Sequence, residues 1–150
     1  MVVPPRVGGC RLRRRSWVVV ALVVLSCAAC GSTAPTVLVH DVRGRGDDAL
    51  ITGSVGYLAD ADCFVIESAG VRHVAVWPPD TEAWVTGTEV AGVRVPDREP
   101  IAIGSQLTAG GGYTNPTASG DLDLPEVPAE CFGGGGEFAL IHVITAVTPG

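Results

Sequence analysis

Glycine and proline break this chain every few residues: 20 glycines and 11 prolines lie among its 150 positions. Proline lacks the N–H that a helix or a strand ladder needs, and glycine loses the most conformational freedom when it is fixed. Short strands and turns are therefore favoured over helices. Short runs rich in Val, Ile and Thr survive between the breaks, and such runs favour strands. The expected fold class is all-β.

The strands can be read off residues 37–150. Val37–Val42 is the first candidate. Ala49–Leu58 is longer, and its internal Gly53 and Gly56 suggest a bulge or strong bend. Cys63–Ser68 and Val71–Trp77 flank Ala69-Gly70 and form a hairpin, which Pro78-Pro79 ends. Asp80–Gly87 reads as a loop with room for one helical turn. Val90–Val95 and Ile101–Ile103 flank Pro96–Pro100 as a second, shorter hairpin. Gln106–Tyr113 is a glycine-rich strand, and Thr114–Gly135 is an irregular stretch pinned at Cys131. Glu137–Thr148 is apolar on both faces, so a central strand is expected. Five or more antiparallel strands in this order resemble the small OB-type barrel. Trp77 then belongs to its core.

The first 29 residues differ in kind. Five of the ten basic residues lie in the first 15 positions, and no acid precedes Asp41. A basic region, Arg11–Arg15, leads into an apolar run, Trp17–Leu25, and then into small residues and cysteines, Ser26–Cys30. This is the order of a secretory signal. The run is shorter than the roughly 20 apolar residues that span a bilayer. Arg14-Arg15-Ser16-Trp17-Val18 also loosely matches a twin-arginine export signal. Without residues 1–29, five arginines face 16 acids, a net charge of −11. That charge repels phosphate and argues against a nucleic-acid partner.

The end of the signal resembles the lipobox of bacterial lipoproteins, whose cysteine receives the lipid after cleavage. Ala28-Ala29-Cys30 supplies the small residues, with Cys27 where leucine is usual. Val24-Leu25-Ser26-Cys27 is the other register, with a bulky Leu25. Lipid on Cys30 removes Cys10 and Cys27 with the signal and leaves two cysteines, Cys63 and Cys131. Lipid on Cys27 would strand Cys30 as an odd thiol in an oxidising compartment. Cys30 is therefore preferred, and Cys63–Cys131 is the expected disulfide. Residues 30–36 read as a lipidated tether and residues 37–150 as the domain. Several acyl chains on one cysteine anchor stably in a membrane.

Cys63-Phe-Val-Ile66, Val74-Ala-Val-Trp-Pro-Pro79, Gly110-Gly-Gly-Tyr113 and the later Cys131 together resemble small uncharacterised domains of exported bacterial proteins. The resemblance covers about Ala49–Val147. It implies a small β-barrel with a structural disulfide, and it implies no activity.

The candidate sites are few. His40, His73 and His142 each fall in a strand without close ligand spacing, although three histidines could meet in space around zinc. Asp47/Asp48, Asp60/Asp62 and Asp121/Asp123 are paired turn acids that fall short of a full calcium loop. No serine sits in a G-x-S-x-G elbow. No cofactor and no metal site is expected. The glycines at 110–112 suit close backbone packing better than a phosphate loop, since no lysine accompanies them. Trp84 and Tyr113 are the candidate ligand face. The residues lean toward a lipid-anchored, non-enzymatic binding or interaction domain on the outer face of the cell membrane, secreted if the anchor is absent. Its partner would be a wall polymer or another envelope protein. A cell-wall carbohydrate-binding module and an extracytoplasmic enzyme, metal-dependent or otherwise, are the alternatives.

Overall fold

The computed structural model describes residues 34–41, 49–115, 124–134 and 136–150. The described residues hold nine strands: β1 (Leu38–Val39), β2 (Ala49–Leu58), β3 (Cys63–Ser68), β4 (Val71–Trp77), β5 (Glu82–Thr86), β6 (Glu89–Arg94), β7 (Ile101–Ala102), β8 (Gln106–Thr114) and β9 (Phe138–Thr148). No α-helix occurs among them; Ala129–Cys131 makes one 3₁₀ turn. The fold class is all-β, as expected.

Six strands form one sheet in the order β1-β4-β3-β2-β8-β9, and β9 also pairs with β4. The long β2 makes this wrapping possible. Its first half pairs with β8 and its second half with β3, and Ser54 is shared by both registers. No register shift occurs in β2, so of the bulge or strong bend expected there the bulge is absent. Gly53 serves close approach instead: a Cβ at this position would lie 2.5 Å from the Glu67 carbonyl oxygen. The irregularities lie in the β8–β9 ladder. Gly110 faces Val143 and Gly111 faces Ile141, leaving His142 as an extra residue, and Thr145 is a second one.

The expected antiparallel barrel is corrected in two respects. The β1–β4 and β4–β9 pairings are parallel. The β4–β9 seam is also short, running from Val74↔Phe138 to Val76↔Leu140, so the sheet wraps onto itself without closing along its length. The same seam corrects the expectation for β9. Where β9 has neighbours on both sides, Phe138 and Ala139 are buried; beyond the seam only one face stays in the core, with Ile141 and Ile144 buried and Val143 57% exposed.

A second sheet has the order β5-β6-β7. The pairing of Val93 with Ile101 is the expected short hairpin. Glu82–Thr86, however, is a strand rather than a loop with a helical turn, because it pairs with β6 across the Gly87-Thr88 turn.

Two cores explain the unbroken apolar runs in β3 and β4. Phe64, Ile66, Ala75 and Trp77 face inward with Ile51 and Leu107, and Val93 and Ile101 of the second sheet pack on them. Cys63, Val65, Val74 and Val76 face outward. They are covered by Leu38 and by Leu124, Val127 and Phe132 of the segment before β9. Full burial of such a side chain is worth about 1.5–3 kcal/mol. The Cys63–Cys131 disulfide, with Cα atoms 6.2 Å apart, fastens that covering segment to β3.

Candidate functional site

A cleft of about 310 Å³ opens beside the disulfide. Leu38, Ala61, Pro125, Val127 and Pro128 give it apolar walls, and Thr36 and Asp62 stand at its edge. The β2–β3 turn aims Asp62, whose φ of 50° lies in the left-handed region that Asp tolerates better than most residues. Its carboxylate is fully engaged. The Thr36 N–H donates to Oδ1 at 3.0 Å and to Oδ2 at 3.2 Å, and the Thr36 hydroxyl donates to Oδ2 at 2.6 Å. The Tyr57 hydroxyl donates to Oδ1 at 2.7 Å.

These contacts set the local acid–base chemistry. Partial burial works to raise the Asp62 pKa, but the bonds from Thr36 and Tyr57 together outweigh it and hold the carboxyl below its usual value. Desolvation, followed by the bond to Asp62 and its charge, pushes Tyr57 up to about 12. Of the paired acids Asp60 and Asp62, Asp62 fastens the segment that leads into β1. Thr36, assigned to the tether by sequence, is held on the domain.

The histidines separate. His40 and His142 meet with ring centres 4.8 Å apart. His73 instead packs against Tyr113, with ring centres 4.6 Å apart, and its Nδ1 lies 3.7 Å from the Glu137 carboxylate. No group of three His, Cys, Asp or Glu residues suited to a metal forms among the described residues. The three-histidine arrangement is corrected accordingly.

The proposed aromatic face is also divided. Trp84 is a half-buried residue of β5 in the small sheet. That sheet leads through Ile103–Ser105 into the first residue of β8, whereas Tyr113 lies near the last. Tyr113 keeps company with His73 and Glu137, and burial followed by the Glu137 charge raises its pKa. Sequence spacing could not reveal this trio, which comes from β4, β8 and the approach to β9. Cys27 and Cys30, and the acids at 47, 48, 121 and 123, lie outside the described residues.

No family model matches this chain. Neither a curated protein nor a solved structure matches it.

A second hollow, about 320 Å³, is polar. It is bordered by Ser54, Gly70 and the Arg72–Glu67 pair at 3.5 Å. Both partners of that pair are at least a third exposed, so it contributes little to stability.

Proposed function

We propose that this chain is an exported protein anchored through lipid on Cys30, with Cys27 as the alternative register, and that residues 37–150 form an OB-like binding domain at the cell envelope. The Cys63–Cys131 disulfide carries the reading. Such bonds persist in oxidising compartments and are rare in the reducing cytosol. The OB-like reading is supported by the circuit β2–β3–β4–β9–β8–β2, because an OB barrel has five strands and is partly open. The apolar cleft supports binding, since Asp62 and Thr36 hold its edge in place and leave the walls free to meet a partner.

Labelled palmitate supplied to cells expressing the wild type, Cys30→Ser and Cys27→Ser tests the anchor. Loss of label in Cys30→Ser alone is expected, and full labelling of that variant overturns the assignment. For the cleft, the wild-type protein is expected to capture an envelope component that the Val127→Glu variant fails to retain. Unchanged capture would remove the cleft from the proposal.

One observation favours a second reading, a wall-carbohydrate module. Tyr113 is 36% exposed beside Glu137 and His73, and a sugar ring needs an aromatic surface next to hydrogen-bonding groups. Retention on isolated cell-wall material that Tyr113→Ala does not weaken would exclude it.

A further inference from the structure

The bulge in β9 has a chemical result. It makes His142 the extra residue between the Gly110↔Val143 and Gly111↔Ile141 pairs. Bulges re-aim side chains, and they gather near functional sites. Here the His142 ring meets His40, which follows β1 and is 5% exposed.

His40 is held at both ends. Its backbone N–H donates to the Trp77 carbonyl at 3.1 Å. Its ring Nε2 lies 2.8 Å from the Ile141 carbonyl oxygen. A carbonyl oxygen only accepts, so Nε2 carries the proton. In the uncharged ring, Nδ1 is then a bare lone pair, and this buried nitrogen has no hydrogen-bond partner among the described residues. A histidine with one N–H fixed by a backbone carbonyl and the other nitrogen bare is the usual state of a metal ligand.

The ring spacing supports the same conclusion. Two imidazoles that bind one ion at about 2.0–2.1 Å per nitrogen, with an angle between square and tetrahedral, hold their ring centres about 4.5–5.2 Å apart. The observed 4.8 Å lies inside that interval.

We propose that His40 Nδ1 and His142 form a two-histidine site for a borderline divalent cation, Cu²⁺ before Zn²⁺ or Ni²⁺ by the usual order of nitrogen affinity. With two protein nitrogens and no third protein ligand among the described residues, water or a small external donor completes the coordination. The site is independent of the anchor and of the apolar cleft.

The test uses the full chain in detergent with its free thiols alkylated, titrated with Cu²⁺ alone and followed by electron paramagnetic resonance. The expected result is one Cu²⁺ per chain with nitrogen hyperfine structure from two imidazoles. His142→Asn should lose that signal while His73→Asn keeps it. His142 is only half-buried, and its replacement leaves the His40–Ile141 bond in place. The near-ultraviolet circular dichroism of His142→Asn should therefore match the wild type. Absence of stoichiometric uptake by the wild type overturns the proposal. So does an unchanged nitrogen signal in a folded His142→Asn variant, or equal loss in His73→Asn.

Discussion

Replacing both Cys63 and Cys131 with alanine removes the link between β3 and the segment that covers its outer face. The two residues are 68 positions apart. In the chain-entropy relation, closing a loop of that length stabilises the folded state by about 4 kcal/mol at 25 °C. Small domains hold about 5–15 kcal/mol in total, so most of the stability of a marginal domain would go. Cys131 is fully buried and Cys63 nearly so, and the two lost sulfur atoms add to the effect. With a urea slope of about 1.5 kcal/mol/M, the unfolding midpoint should fall by roughly 2.5–3 M. The assay is urea unfolding of the oxidised wild type, the reduced wild type and the double variant, followed by tryptophan fluorescence, to which the fully buried Trp77 contributes. Because the chain-entropy relation places the effect in the unfolded chain, the native emission should stay nearly the same. A loss below about 1 kcal/mol, with the wild type proven oxidised by non-reducing mass spectrometry, would refute the reasoning.

Four further outcomes follow from particular residues. Asp62→Ala should cost about 1–3 kcal/mol in thermal unfolding, because three donor groups lose a charged acceptor. The pKa of Asp62 is lowered on folding, so its contribution is present above the ordinary carboxylate value of 3.8 and is lost as pH falls through the lower folded value; Asp62→Asn should flatten that acid limb. In a spectrophotometric titration both tyrosines should ionise above 10.0, Tyr57 near 12, and Asp62→Asn should bring Tyr57 down. Gly111→Ala should destabilise by about 3 kcal/mol or more in urea unfolding, beyond ordinary overpacking, because its Cβ would run into the Leu140 carbonyl and sit 2.8 Å from Ile51 Cδ1.

Local chemistry made much of the fold legible. The Ala69-Gly70 hairpin was readable because Gly70, at φ 80°, takes the left-handed conformation that favours glycine, although Ala69 at φ 51° does so against its own preference. The limits of β2, β3 and β4 follow their runs of apolar and β-branched residues. β5 was hidden because Glu82–Thr86 alternates weakly between Pro78-Pro79 and Gly87, and only its partner β6 makes it a strand. The parallel return of β9 to β4 left no mark either, since side-chain alternation is the same for both directions of pairing. The cysteine pair could be counted, but the His73–Glu137–Tyr113 and Thr36–Asp62–Tyr57 groups could not. Each joins residues that only the wrapped sheet brings together.

The short parallel seam also orders events in time. Val74 meets Phe138 and Val76 meets Leu140, each pair 64 positions apart in the chain. Contacts between such distant residues must overcome a large loop-closure entropy before they return any stability, and they slow folding. β9 also brings Ala139, Ile141 and Ile144 to the inner core. If the proposed export threads the chain through a membrane pore N-terminus first, β2 to β8 would be available to cover the inner face of the β3–β4 hairpin, but that core would lack Ala139, Ile141 and Ile144 until β9 arrives. Completion of the core would then wait for the last strand, and through that interval the exposed apolar face would need shielding from other chains.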